Sequence, residues 1–181
     1  MSNLPIFKVP AYDEVSDQAK TVFDQFQKTV GRMPNLYAVI GYSGNALSSY
    51  MAYVQAQAKG SFRVKDREAI YLIVSKFNGC EYCQASHTVS ALKAGWTEEE
   101  TVLLRKGELP EQKWQVLYRL IESVIEQKGE VSVEILNDFF ALGYKEAALM
   151  DLMVLINVMT FTNYVFRLTK IPIDWPLAKA V

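Results

Sequence analysis

The sequence predicts an all-α fold, and three observations carry that prediction. Apolar residues recur at steps of three and four along almost the whole chain, which is the period of an amphipathic helix. No segment alternates polar and apolar residues as a half-buried strand would. No Gly-, Ser- or Pro-rich linker divides the 181 residues, so the length suits one domain covering residues 1–181.

Five helices are predicted in the first half of the chain. The first is amphipathic, with Val22, Phe23 and Phe26 on its inward face. The dipeptide Asn78-Gly79 is a strong turn signal, so the last two helices are expected to form a hairpin. The five segments are Asp13–Val30, a helix that begins at Pro34, Ala46–Lys59, Lys65–Phe77 and Cys80–Ala94.

Four further helices are predicted in the second half. Thr97 can cap a short helix, and Ser132 can cap another after the stop at Gly129. The prolines of IPIDWP close the last helix. These segments are the short helix after Thr97, Glu111–Lys128, Ser132–Leu142 and Lys145–Lys170.

Composition and charge narrow the partners and the compartment. A net charge of −1 gives no electrostatic reason to expect nucleic acid or an anionic membrane as a partner. The start, MSNLPIFKVP, shows no export signal, so we expect a cytoplasmic protein whose cysteines are reduced at rest. The most apolar stretch, 148–161, is short for a bilayer and carries Asp151 and Asn157, which favours a buried helix.

The only two cysteines and the only histidine lie within eight residues of each other. Cys80, Cys83 and His87 stand at i, i+3 and i+7, so their side chains share one stripe of a helix. Unpaired N–H groups at the helix start favour a thiolate, and the thiolate is the reactive form of cysteine. This pattern suits two-electron thiol chemistry or metal binding.

An acidic partner for the imidazole is expected on the preceding helix. Glu68 lies on the same face as Ser75, and a tight hairpin could lay that face against His87. Glu68 could instead belong to a capping box, but position 65 is Lys where Ser or Thr would be needed.

Glu68, Cys80, Cys83 and His87 at these spacings resemble the AhpD-like alkylhydroperoxidase family, within the carboxymuconolactone decarboxylase superfamily. The similarity extends over about residues 30–105, from RMPNLYAVI to GWTEEE. It implies an all-α fold with the CxxC on a helical hairpin, and reduction of organic hydroperoxides or hydrogen peroxide without a cofactor or a metal.

The resemblance also implies a role for each residue. Cys83 would attack the peroxide and become a sulfenic acid, and Cys80 would give a proton to the leaving group and then form the disulfide. His87 and Glu68 would relay the proton from Cys83. Members are commonly trimers or hexamers, and a thiol reductant such as a lipoylated or thioredoxin-like protein would restore the thiols.

One position departs from the best-known branch of the family. Tyr82 stands between the cysteines where that branch has a second histidine. Tyr82 is at i+2 from Cys80, away from the stripe, so we expect it to do no more than pack.

Other functions remain open at this point. Cys80, Cys83, His87 and Glu68 could together bind zinc, although structural zinc usually draws on a second pair of ligands that this chain lacks. The pair could also act on protein thiols, although the βαβ pattern of thioredoxin-like proteins is absent. A lactone decarboxylase would generally lack the CxxC, and a binding module without catalysis is the remaining alternative.

Overall fold

The computed structural model describes residues 7–181, and within them the chain forms nine α-helices, two short 3₁₀ turns and no β-strand. The prediction of an all-α fold is therefore confirmed. Residues 1–6, on which the expectation about an export signal partly depends, lie outside the described residues. The helices are α1 Asp17–Val30, α2 Asn35–Ile40, α3 Gly44–Ala56, α4 Val64–Phe77, α5 Glu81–Lys93, α6 Glu98–Lys106, α7 Gln112–Glu126, α8 Val133–Ala141 and α9 Glu146–Thr169.

Side-chain caps fix several of these helix starts. Thr97 and Glu100 form the capping box of α6, in which each side chain bonds the other residue's backbone N–H. Ser132 accepts a hydrogen bond from the Ile135 N–H at the start of α8. These caps are the ones that the sequence predicts.

Two predicted helix boundaries are wrong by about one turn. The first helix begins at Asp17 because the Ser16 hydroxyl accepts the Ala19 N–H there, and Tyr12–Glu14 is a separate 3₁₀ turn. The third ends at Ala56, where the backbone tightens into the 3₁₀ turn Gln57–Lys59. The second difference is the exchange of α-helical for 3₁₀ hydrogen bonds that is common at helix ends.

Helix α4 occupies the centre of the protein and pairs most extensively with α5. Its residues 69–75 are all buried, and it also packs against α6, α7 and α9. At the α4–α5 turn, Gly79 adopts a left-handed conformation with φ of 61°, and the Cys80 N–H bonds the Ser75 carbonyl at 2.9 Å. This turn places the first cysteine directly beneath the end of α4.

Helix α9 contains the apolar stretch 148–161 and closely follows the predicted segment Lys145–Lys170. It runs for 24 residues, from Glu146 to Thr169. Within residues 7–181, it is the one helix that is long and apolar enough to cross a membrane, although the core helix of a protein passes the same test. It packs against α2, α3, α4 and α5, with Leu152, Leu155 and Met159 buried.

Candidate active site

The two cysteines lie at the start of α5, with their sulfurs joined. Cys80 is the N-cap residue and Cys83 lies in the first turn, with their Cα atoms 5.4 Å apart. This separation lies within the range that a disulfide requires. The sequence predicts a pair that is reduced at rest, whereas the structure describes the oxidised pair.

The helix start treats the two sulfurs differently. The Cys80 sulfur accepts a hydrogen bond from the Cys83 N–H, with 3.2 Å between sulfur and nitrogen. Backbone N–H groups at a helix N-terminus stabilise a nearby anion, so the helix favours negative charge on Cys80 when the disulfide opens. Cys83, by contrast, borders a pocket that Cys80 does not line.

Glu68 and His87 form a hydrogen-bonded pair between α4 and α5. The Glu68 Oε2 and the His87 Nδ1 are 2.7 Å apart, and both side chains are less than one-fifth exposed. Because a carboxylate only accepts hydrogen bonds, Nδ1 carries the proton and Nε2 is left free to accept another. The ring of Tyr71 packs against the imidazole, with 4.9 Å between the ring centres.

The alternative role of Glu68 in a capping box is excluded by its position. Helix α4 begins at Val64 and its N-cap residue is Arg63, which makes no side-chain cap. Glu68 is therefore the fifth residue of the helix, beyond the first turn, and its carboxylate contacts α5 instead.

Cys83 and His87 line one pocket of about 180 Å³. Its remaining walls are mostly aromatic and aliphatic, with two serine hydroxyls from α5 and one threonine from α9. These residues are Phe26, Val30, Pro34, Leu36, Tyr37, Tyr82, Ser86, Ser90, Thr162 and Trp175. A pocket that is largely apolar and has a few polar groups at one wall is the usual form of a small-molecule site.

Ser75 lies apart from this pocket. It is fully buried, and its hydroxyl accepts a hydrogen bond from the Asn163 Nδ2 at 3.2 Å. The Asn163 side-chain oxygen in turn accepts from Asn78. Ser75 therefore joins α4 to α9, which is the packing role that its position on a buried face favours.

The C-terminal segment contributes to the site, which its sequence does not indicate. IPIDWP is typical of the end of a helix, whereas Asp174 in it accepts a hydrogen bond from the Tyr82 hydroxyl at 2.6 Å and forms an ion pair with Arg32. The expectation that Tyr82 only packs is therefore wrong. Trp175, beside Asp174, lines the pocket with Cys83.

The alternative of a zinc site involves the same residues. Within residues 7–181, no group of three or more His, Cys, Asp or Glu side chains is arranged as a set of metal ligands. The two sulfurs are bonded to each other, whereas a bond from His87 Nδ1 to a carboxylate would also suit a histidine that binds a metal through Nε2.

Comparisons with known proteins agree with this fold. Residues 44–114 match the carboxymuconolactone decarboxylase family, and no curated protein matches the sequence. Among solved structures, the chain is similar to an uncharacterized peroxidase-related protein from Silicibacter sp. TM1040, at a TM-score of 0.80 and 18% identity over 92% of this chain and 90% of that one.

Two further solved structures extend the likeness. The first is an uncharacterized peroxidase-related AhpD core protein from Ralstonia eutropha JMP134, at a TM-score of 0.79 and 17% identity over 91% of this chain and 90% of that one. The second is the debrominase Bmp8, at a TM-score of 0.77 and 16% identity over 95% of this chain and 93% of that one. Residues 44–114 thus match the carboxymuconolactone decarboxylase family, and the solved structures share the all-α fold of this chain.

Proposed function

We propose that the protein is a thiol-dependent peroxidase that reduces hydrogen peroxide or organic hydroperoxides. One observation carries the proposal: Cys83 and His87 face a common pocket, while Glu68 holds His87 and Cys80 lies within bonding distance of Cys83. These are the parts that a two-electron thiol cycle requires, namely an attacking thiol, a resolving thiol and a proton carrier.

The first step is the attack of Cys83 on the peroxide. His87 accepts the thiol proton at Nε2, because Glu68 fixes Nδ1 as the protonated nitrogen and stabilises the imidazolium. The Cys83 thiolate takes the terminal oxygen and breaks the O–O bond. Cys80 gives its proton to the departing alkoxide, which leaves as an alcohol, or as water when the substrate is hydrogen peroxide.

The second step forms the disulfide. The Cys80 thiolate, which the Cys83 N–H stabilises at the helix start, attacks the sulfenic acid on Cys83. The hydroxide that leaves takes the proton from His87 and departs as water. The Cα separation of 5.4 Å between Cys80 and Cys83 is compatible with the disulfide that this step forms.

A thiol donor must then reduce the disulfide, and we propose that it attacks Cys83. Exchange is faster when the leaving sulfur is the better thiolate, and the helix start favours that role for Cys80. A second donor thiol then displaces Cys83 and completes the cycle. The donor is proposed to be a lipoylated or thioredoxin-like protein, acting on a cytoplasmic homo-oligomer, either a trimer or a hexamer.

A second candidate is the reductive removal of a halogen. Bmp8 shares the fold, and a variant of it was solved in complex with 2,3,4-tribromopyrrole. In such a reaction, an aryl bromide and two thiols give the arene, a disulfide and hydrogen bromide. The same cysteine pair would supply both electrons. The aromatic walls around Cys83 are compatible with such a ring.

Stopped-flow oxidation of the reduced, metal-free protein tests the proposal, with mass spectrometry of the thiols. Hydrogen peroxide, cumene hydroperoxide and tribromopyrrole serve as separate oxidants. We expect peroxides to remove two thiols and two hydrogens, Cys83→Ser to abolish the reaction, and Cys80→Ser to stop at the sulfenic acid. The two variants are each other's control, because each removes one sulfur from the same turn.

The remaining outcomes distinguish the alternatives. If both variants react with peroxide like the wild type, the proposed peroxidase cycle is wrong. Bromide release with inert peroxides would favour the second candidate. Inert thiols in a protein that retains one equivalent of zinc would favour the metal site.

A further inference from the structure

The C-terminal segment 171–176 is attached to the wall of the pocket through Asp174. The Tyr82 hydroxyl donates to one carboxylate oxygen at 2.6 Å, and the Asn35 N–H donates to the other at 3.1 Å. Arg32 forms an ion pair with the same carboxylate and also donates to the Asp174 carbonyl at 2.7 Å. A planar guanidinium that binds both groups fixes position as well as charge.

The Tyr82 hydroxyl both donates and accepts a hydrogen bond at this attachment. Besides donating to Asp174, it accepts the Leu36 N–H at 3.2 Å. Burial, together with the bond to Asp174, raises the pKa of Tyr82, so the hydroxyl stays protonated and continues to donate. Tyr82 therefore connects α2, α5 and the C-terminal segment, and it has no proton to spare for the cysteines.

Trp175 is held in place by these contacts. Its neighbour Asp174 is hydrogen-bonded to Tyr82 and ion-paired with Arg32, and the Arg32 guanidinium lies 4.4 Å from the centre of the indole ring. The ring forms part of the pocket that Cys83 and His87 line. A side chain held by its neighbour and by a cation–π contact makes a rigid wall.

We propose that Trp175 sets the upper size limit of the substrate, and that Tyr82, Asp174 and Arg32 are positioning residues for this wall. A cavity of about 150 Å³ holds a benzene molecule, so a pocket of about 180 Å³ fits one ring or a short branched chain. The part of the substrate that lies beside Cys83 is then compact, and we expect a long-chain lipid hydroperoxide to react more slowly than a compact one. The choice of a peroxide rests on the proposed function, whereas the size limit does not.

The size limit is tested with a ladder of oxidants: hydrogen peroxide, tert-butyl hydroperoxide, cumene hydroperoxide and linoleic acid hydroperoxide. We divide the rate with linoleic acid hydroperoxide by the rate with cumene hydroperoxide, and we expect Trp175→Ala to raise this ratio by about tenfold or more, since one pocket contact discriminates on that scale. The ratio of Trp175→Phe should lie between those of the wild type and Trp175→Ala. Leu177→Ala is the matched control, because Leu177 lies two residues beyond Trp175 and does not line this pocket. An unchanged ratio in Trp175→Ala overturns the inference.

Tyr82→Phe tests positioning separately from proton transfer. The variant keeps the ring but removes the hydroxyl that joins Asp174 to Leu36. We expect it to relax the same ratio partially while the midpoint of the pH–rate profile stays at the wild-type value. A shifted midpoint with an unchanged ratio would make Tyr82 part of the proton relay and would overturn its positioning role.

A binding experiment separates this inference from the proposed function. Calorimetry with the oxidised protein uses 2-phenyl-2-propanol and a long-chain secondary alcohol, and it needs no turnover. We expect the wild type to bind only the compact alcohol and Trp175→Ala to bind both. If the alcohols bind in this way but peroxides do not oxidise the thiols, the proposed peroxidase function is refuted while the size limit stands. Failure of the wild type to prefer the compact alcohol would overturn the size limit even if peroxides react.

Discussion

Replacing Glu68 by Gln isolates the charge of the proposed relay. The glutamine side chain has the same shape, and its oxygen can still accept the His87 Nδ1–H at a similar distance to the present 2.7 Å. A hydrogen bond to a charged group contributes about 1.5–3 kcal/mol, roughly twice the value of a neutral one. Both side chains are largely buried, so solvent screens little of this difference. We therefore expect Glu68→Gln to stabilise the imidazolium form of His87 by about 1–2 kcal/mol less than Glu68 does.

That loss translates directly into a rate. If the proton of Cys83 resides on His87 in the transition state, a loss of about 1–2 kcal/mol slows thiol oxidation by roughly 5- to 30-fold near pH 7. At a pH well above 8.5 the thiolate forms without help, so the difference should shrink there. The effect is thus predicted to depend on pH.

The assay is stopped-flow oxidation of the reduced protein by hydrogen peroxide between pH 6 and pH 10. Asp66→Asn is the matched control, because Asp66 is also on α4 and its ion pair with Lys113, at 2.6 Å, lies away from the pocket. Asp66→Asn should react like the wild type. A wild-type rate in Glu68→Gln at pH 7, or a defect of equal size at every pH, would refute the relay.

Three further predictions concern His87 and the turns that support the site. His87→Ala should slow peroxide reaction at neutral pH and recover partly at high pH; no recovery would mean that His87 only positions groups. Gly79→Ala should lower the free energy of unfolding in urea by about 1–2 kcal/mol, because φ is 61° and the new methyl group meets Arg167. Gly31→Ala has a similar φ but open space, so an equal loss there would exclude a part for Arg167. Thr97→Ala should lower it by about 1 kcal/mol through the lost cap of α6, and an unchanged urea midpoint would contradict this.

Local signals in the sequence predict much of the helical framework. The turn at Asn78-Gly79 and the caps at Thr97 and Ser132 each depend on residues within four positions, so no knowledge of the fold is needed to find them. The approach of Glu68 to His87 depends on a single hairpin. Such short-range geometry follows from helix periodicity and one turn, which is why the sequence could indicate the pairing.

The walls of the pocket could not be predicted in the same way. Tyr82 and Asp174 are separated by 92 residues, and Arg32 lies 142 residues from Asp174. No periodicity connects positions so far apart, and proline-rich IPIDWP reads only as the end of α9. The contacts depend on where α9 ends against α2, which only the assembled fold determines.

The first turn of α5 therefore carries the cysteine pair and also anchors a wall of the pocket, and only the first of these roles is visible in the sequence. Its stripe of Cys80, Cys83 and His87 is visible because the three residues recur at helical spacing. Tyr82 lies off that stripe, so helical spacing alone predicts only a packing role for its side chain. The carboxylate of Asp174, 92 residues further along the chain, accepts the hydrogen bond of the Tyr82 hydroxyl. In our proposal, Tyr82 thereby fixes the wall of the pocket that Cys83 also lines.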